Sequence, residues 1–281
     1  LFTREDNLQL KFVYSTYTAS LGSFLLPDNR LYPTTKDNYF IGRNVEAKYS
    51  YEAILPTKDS DINPIGMLLD LTYNYEFNKF NSEGEYTVED GMLKPLYKDF
   101  NFHKLELKSG FYFPIFNSHT INATLRAGSI LGPQVPDFFD FYLGGLIGMK
   151  SYPFYAISGN EIAWLNLTYR FPLFRNIDTR LGHLYIDKIF FSVNADIGNA
   201  WNGKFPSLSE FKKGVGTELR IQMSSYYLFP TSLFFHAAYS FDKFSRVINN
   251  QTVTYGKEWN FYGGILFDFS ILNFFNNRKL R

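Results

Sequence analysis

Few of the side chains could do chemistry, and their spacing argues against most of it. Four histidines, His103, His119, His183 and His236, are scattered along the chain, and no two stand at the His-x-x-x-His interval that presents two ligands to one metal. No metal site is expected. The absence of cysteine removes thiolate zinc ligands, disulfides and cysteine nucleophiles. Ser118 and His119 are adjacent, but neighbours on a strand point to opposite faces, so they cannot act as nucleophile and base. The glycine pairs Gly144-Gly145 and Gly263-Gly264 open no helix and therefore cradle no phosphate. In strands such glycines permit bending or close backbone approach. Carboxylates are plentiful, yet none forms a local acid–base pair. The pattern predicts no enzyme and no cofactor.

The elements that carry these residues are strands. A chain of 281 residues that is 45% hydrophobic and 20% aromatic, with 31 Phe, 21 Tyr and 3 Trp, has ample apolar material for a folded domain and is not disordered. Its 28 basic residues against 27 acidic ones leave a net charge of +1, which gives no electrostatic case for nucleic acid. No apolar run approaches the roughly 20 residues of a membrane helix; Leu143–Met149 stops at Lys150 and Ser151. The opening Leu1-Phe2-Thr3-Arg4 lacks the pattern of a signal peptide, so the chain is expected to be processed or an excerpt of something longer.

The dominant period is two. From Met67 to Phe77, Met67, Leu69, Leu71, Tyr73, Tyr75 and Phe77 alternate with Leu68, Asp70, Thr72, Asn74 and Glu76. About ten segments read this way: Leu8–Ser20, Arg43–Leu55, Gly66–Lys79, Asp99–Phe113, His119–Leu131, Asn160–Leu173, Ile186–Asn199, Lys213–Ser224, Ser232–Asp242 and Glu258–Ile271. Each is long enough to cross a bilayer as a tilted strand, which takes roughly 9–11 residues. Between them long connections (Leu21–Gly42, Phe80–Lys98, Gly132–Gly159, Lys243–Lys257) tend to alternate with shorter ones (Pro56–Ile65, Pro114–Ser118, Ser225–Thr231). Outer-membrane barrels have this asymmetry, with short periplasmic turns, which would put both chain ends in the periplasm.

A soluble sandwich or lipocalin-like barrel also alternates, and the distribution of charge favours the membrane. The polar face carries Lys48, Glu52, Asp70, Glu76, Lys104, Glu106, Lys108, Arg126, Arg170, Lys188, Asp196, Glu218, Arg220 and Asp268. The other face is aliphatic and aromatic, with Phe113, Phe171, Tyr185, Trp201, Tyr226, Tyr227 and Trp259 near segment ends as an interfacial girdle. The predicted fold is all-β: an antiparallel transmembrane β-barrel, one domain over residues 1–281, whose long loop 132–159 folds into the lumen.

Between the fifth and sixth segments runs Phe141-Tyr142-Leu143-Gly144-Gly145-Leu146-Ile147-Gly148-Met149-Lys150-Ser151-Tyr152-Pro153, followed by Thr168-Tyr169-Arg170-Phe171-Pro172-Leu173, Asp196-Ile197-Gly198-Asn199-Ala200-Trp201 and Lys213-Gly214-Val215-Gly216-Thr217-Glu218. In order and spacing these phrases resemble the bacterial surface antigen superfamily, the barrels of outer-membrane-protein assembly and two-partner secretion. There a Gly-Gly pair precedes a Val-Arg-Gly-Tyr loop tip, and Tyr-Arg-Phe-Pro and Asp-x-Gly strands follow. The resemblance marks Gly144, Gly145, Arg170, Pro172, Gly198 and Trp201 as motif positions. It implies a loop lock made by Lys150, Tyr152, Asp196 and Glu218, with Lys150 pairing Asp196 and sharing Glu218. The chain departs from the pattern at the tip, where Lys150 and Ser151 replace arginine and glycine, and at Thr168 and Asn194. Lysine is a point charge without the planar fork of arginine, so its pin should be less directional, and the alternative is a solvated loop-tip lysine.

The family barrel has sixteen strands, five of them after the loop tip. Five segments follow it here and only five precede it, which implies an upstream portion, a second chain completing the barrel, or a small member of the family. Three functions fit. The first is insertion or translocation of polypeptides at the bacterial outer membrane, through a weak seam at the last strand, where Gly263 and Gly264 loosen the pairing. The second is an anchor or scaffold for a periplasmic module or partner lipoprotein, and the third a passive channel. The expected partners are outer-membrane lipids, polypeptide clients and periplasmic or lipoprotein partners, with no nucleic acid.

Overall fold

The computed structural model describes residues 3–25, 29, 31–32, 35–57, 59, 62–89, 92–116, 118–225, 229–248 and 251–267. Ten long strands run in chain order: β1 (Thr3–Leu21), β2 (Thr35–Ile54), β3 (Gly66–Phe80), β4 (Lys98–Phe116), β5 (His119–Leu131), β6 (Glu161–Phe174), β7 (Leu184–Trp201), β8 (Lys212–Ser225), β9 (Phe229–Ser240) and β10 (Trp259–Phe267). Each pairs antiparallel with the next, and the short strand Thr179–Leu181 adds to β7, giving an eleven-stranded sheet. Among the described residues there is no α-helix, only two 3₁₀ turns at Asp137–Phe139 and Leu208–Glu210.

The period-two pattern reaches the structure as two unlike faces. Leu71, Leu125, Leu167, Val193, Phe235, Phe261 and Ile265 stand exposed on the outer wall, as alternate residues must where the solvent outside is hydrocarbon. Inner-face charges pair across strands and along them. Lys48 Nζ lies 3.1 Å from Asp70 Oδ2, Arg126 Nε 2.6 Å from Glu106 Oε1, and Lys108 Nζ 3.2 Å from the other oxygen of Glu106. Of the expected inner charges and girdle aromatics, Asp268, Tyr226 and Tyr227 lie outside the described residues.

Several strands outrun their alternating segments. β1 and β2 stay paired from Thr3↔Ile54 to Leu21↔Thr35, so residues 35–42, expected in a loop, belong to a strand. Lys36, Asp37 and Asn38 break the apolar alternation, but a backbone ladder needs no buried face once it leaves the lipid. β4 likewise continues through Pro114, absorbing it by a register shift between Pro114 and Phe116, where the missing N–H costs least. The long loops carry small hairpins of their own, such as Tyr86–Glu89 with Met92–Pro95 and Phe244–Ile248 with Gln251–Tyr255.

The sheet leaves two edges. β1 pairs only with β2 and β10 only with β9, so no closed barrel forms among the described residues. Thr3 lies opposite Ile54, and Phe267 opposite Thr231, so both ends of the sheet fall at the end that carries the short connections. The glycine pair on β10 lies within the β9 ladder, Gly263 opposite Phe235 and Gly264 opposite Phe234. A Cβ at Gly264 would come within 2.8 Å of the Phe234 ring. Gly264 is therefore the floor on which the buried Phe234 packs, an aromatic covering a cross-strand glycine.

An outward-facing apolar wall makes a specific prediction. Leu167→Arg, at an exposed mid-strand site of β6, should lower unfolding stability in lipid vesicles by about 2–4 kcal/mol. An exposed site in water would tolerate the change, so a neutral result in urea titrations would contradict the lipid-facing assignment.

Candidate functional site

Residues 132–160 cross from one side of the inner wall to the other, and the cause is a sequence of small and aromatic residues that fits against it. On the near side Lys104 Nζ of β4 donates to Phe139 O at 2.8 Å and sits 4.3 Å above the Phe141 ring, while Arg126 Nη1 of β5 donates to Tyr142 O at 2.9 Å. Phe139 and Phe141 pack with Phe40, Phe80 and Phe102 of β2, β3 and β4 in a buried aromatic cluster. On the far side Leu143, Met149, Ser151 and Tyr152 are fully buried. Asn260 Nδ2 of β10 donates to Ser151 O at 2.8 Å, and Tyr152 Oη donates to Asp242 O at 2.9 Å. Burial holds the Tyr152 hydroxyl above its ordinary pKa, so it stays protonated and remains a donor.

The wall is shaped to receive this strap. A Cβ at Gly198 would meet Leu143, Trp164 and Met149 at 2.9–3.1 Å, and one at Gly214 would lie 2.1 Å from Ser151 Oγ. Both glycines are close-approach sites for the loop. Gly144 bridges Met149 to close the tip, and Gly145 turns the chain at φ +89.

Under the tip is a small cavity of about 120 Å³, bounded by Lys150, Arg170, Asp196, Glu218 and His236 among others. Lys150 Nζ meets Glu218 Oε2 at 3.4 Å; the expected first partner, Asp196, is otherwise engaged. Asp196 Oδ1 accepts from Trp164 Nε1 at 2.9 Å and Asn166 Nδ2 at 2.8 Å, and Oδ2 accepts from Asn194 Nδ2 at 2.9 Å. Thr168 Oγ1 donates to Asn166 Oδ1 at 2.7 Å. Of the departures from the motif, Asn194 is thus one of the three neutral donors to Asp196, and Thr168 holds a second, Asn166. Glu218 lies four register positions deeper, opposite Ser192 where Asp196 is opposite Gly214, and a lysine side chain from the tip reaches past the one to the other.

Glu218 gathers charge. Arg220 Nη2 is 2.7 Å from Oε1, Arg170 Nη2 4.0 Å from the same oxygen, and His236 Nδ1 3.7 Å from Oε2. Of the remaining motif positions, Pro172 sits at a register shift of β6 against β7. Trp201 ends β7 and packs on Phe205 and Phe211 at ring distances of 5.2 and 6.0 Å. The wider histidine set is dispersed, and His119 stacks between Phe116 and Phe171 at the short-turn rim.

One cluster had no sequence signal. The turn after β2, around residues 55–65, reaches across the short-connection end to β5, β6 and β7. Asp59 pairs with Lys188 and, at 3.0 Å, with Arg175. Arg170 Nη1 donates to Ile62 O, and Asn63 bonds both Thr120 and, at 2.8 Å, Ser118 O. Ile62 is 2% exposed. The partners are more than fifty residues apart in sequence, so periodicity and motif could not reveal them; the buried Lys188 on a polar face was the only hint.

A sheet with an apolar outside, an ion-paired inside and a strap across its inner face fits the wall of a membrane β-barrel. The chain matches the model of the Omp85 superfamily domain over residues 2–231. It belongs to that family, as the phrases from Gly144 to Tyr152 and from Arg170 to Leu173 suggested. The superfamily is associated with the outer membrane and in general with insertion or translocation of polypeptides there, in company with clients and lipoprotein or periplasmic partners; it is not a family of enzymes. No curated protein matches the chain.

The charge cluster predicts unequal costs. Glu218→Gln removes the carboxylate that faces Lys150, Arg170 and Arg220 and should cost about 3–5 kcal/mol. Lys150→Met, which leaves Arg220 on Glu218, should cost about 1 kcal/mol or less. Equal losses in unfolding titrations would contradict this hierarchy. At the other end, Asp59→Asn should lower stability by about 1–3 kcal/mol and raise amide exchange in residues 55–65; unchanged exchange would show that the turn is not held by these ions.

Proposed function

We propose that this barrel inserts or translocates polypeptides at the outer membrane through the seam between its sheet edges, and that the strap from 132 to 160 locks the lumen with Lys150 on Glu218. The observation that carries this reading is the combination of a crossed lumen with two edges that lack partners among the described residues. Unpaired strand backbone is costly in lipid, so an edge there attracts a strand. An incoming polypeptide can supply that strand by β-augmentation. β1 and β10 would then flank the client, with the second side completed by an upstream segment or a second chain. In this reading the short connections and both ends of the sheet face the periplasm, the loops face outward, and residues 1–281 act as one barrel domain.

The anchor or scaffold reading draws on a different observation. The strap closes one end, and the Asp59-held turn covers part of the other, an arrangement suited to a barrel that holds a periplasmic module or lipoprotein and passes nothing. The same closure disfavours a passive channel.

Photo-crosslinkers placed along β10 at Phe261 and Ile265 should trap client polypeptides in cells, while one at Leu71 on β3 should not. Absence of any client on β10, with a lipoprotein or periplasmic partner recovered at the short-turn end, would establish the scaffold instead. In planar bilayers the protein should show far lower conductance than an open porin, and a steady large pore would contradict both readings.

A further inference from the structure

A second recess lies above the strap at the long-loop end, unrelated to the Glu218 cluster. It measures about 520 Å³, within the roughly 300–1,000 Å³ of small-molecule sites. Three elements wall it: the return arm of the strap at Ala156–Ser158, the loop after β7 around 202–210, and the hairpin after β9. Its chemistry is uniform. Lys204, Lys212 and Arg246 bring three cations and Glu210 the single carboxylate. One oxygen of that carboxylate is already engaged, because Glu210 Oε1 accepts from Ser207 N at 3.0 Å and Ser207 Oγ at 2.7 Å.

Two of the three cations are held in place. Lys212 Nζ sits 5.2 Å over the Phe244 ring and donates to Glu210 O at 2.6 Å, while Arg246 Nη1 donates to Tyr155 O at 3.2 Å. Each keeps further N–H groups to give. The amides lean the same way: Asn202 Oδ1 accepts from Asn160 N at 2.7 Å and Asn199 Oδ1 from Ala200 N at 3.0 Å. What they offer the recess is therefore N–H donors. Trp201 and Phe205, the latter 68% exposed, add aromatic surface.

We infer that this recess binds an anionic saccharide: aromatic rings to cover the C–H face of a sugar ring, amide donors for its hydroxyls, and fixed cations for its phosphate, sulfate or carboxylate groups. A bare phosphate would use the cations but leave the rings and amides idle. A neutral sugar would leave the cations unpaired. The choice of saccharide over an acidic peptide rests on the outward orientation of the loops proposed above, since acidic glycans are the dense anions of a cell surface. The binding measurement itself does not depend on any transport role.

The test is titration of the purified protein in detergent with a heparin-derived tetrasaccharide, followed by calorimetry and by tryptophan fluorescence, with Trp201→Phe to assign the signal. Maltotetraose, inorganic phosphate and a poly-glutamate peptide are the comparisons. The tetrasaccharide should bind at least about tenfold more tightly than any of the three. The double variant Lys204→Gln/Arg246→Gln should weaken it by a further tenfold or more, and Phe205→Ala should weaken it with the charge intact; heat-modifiable gel mobility confirms that each variant is folded. Equal binding of phosphate, tighter binding of the peptide, no binding, or binding indifferent to the variants would each overturn the inference. Deacylated lipopolysaccharide and a uronic-acid capsular oligosaccharide then separate a membrane-borne source from a free one, and preferential binding of either supports the site. External protease cleavage in 202–210 on intact cells tests the orientation separately.

Discussion

The structure turns on one carboxylate surrounded by cations. The Glu218 side chain is 5% exposed and has Lys150, Arg170 and Arg220 around it, with the His236 ring beside it. Charges this close repel one another strongly where water is scarce, so without the acid the inner wall of β6 and β8 would carry uncompensated positive charge. One of those cations is delivered by the loop tip. Neutralising the wall and seating the strap are therefore one event, and the glycines at 198 and 214, the buried Tyr152 and the Asn260 contact fit around it.

The strap also links distant parts of the sheet. It is tied to β4 and β5 by Lys104 and Arg126 and to β8 and β10 by Glu218 and Asn260. Strand neighbours alone give a sheet only local connection, and this diagonal brace couples early strands to the last one. Asn260 thus ties the edge strand β10 directly to the loop tip. In the function proposed above, a seam and a lock joined in this way would open in concert, whereas the Asp59 turn at the opposite end is anchored on β6 and β7 and has no bond to β10 among the described residues.

Much of the wall was legible because lipid outside and ion pairs inside impose a period of two on every strand. Met67–Phe77 and Lys213–Ser224 show it directly, and the loop-tip and Arg170 phrases pointed to the family. Strand ends were harder: β2 begins at Thr35 because its hairpin ladder continues beyond the lipid, where polar residues pair as well as apolar ones. Partner choice within the site was also hidden. The family resemblance set Lys150 beside Asp196, but Trp164, Asn166 and Asn194 had already filled that carboxylate, a fact that depends on three-dimensional neighbours. The Asp59 turn had no periodic signal because its contacts are made by a single loop. The seat that Gly264 gives Phe234 was equally hidden, because a cross-strand neighbour is fixed by register and not by local sequence.

The most direct test of this account is whether the loop tip rests on the wall in the membrane. The chain has no cysteine, so Ser151→Cys places one thiol at a fully buried point of the strap, and Leu208→Cys, 74% exposed on the loop after β7, gives the accessible control. The account predicts that in isolated outer membranes a soluble maleimide labels the Leu208→Cys variant readily and spares the Ser151→Cys variant until it is denatured. Equal labelling of the two would mean that the strap does not cross the lumen, and the lock on Glu218 would fall with it.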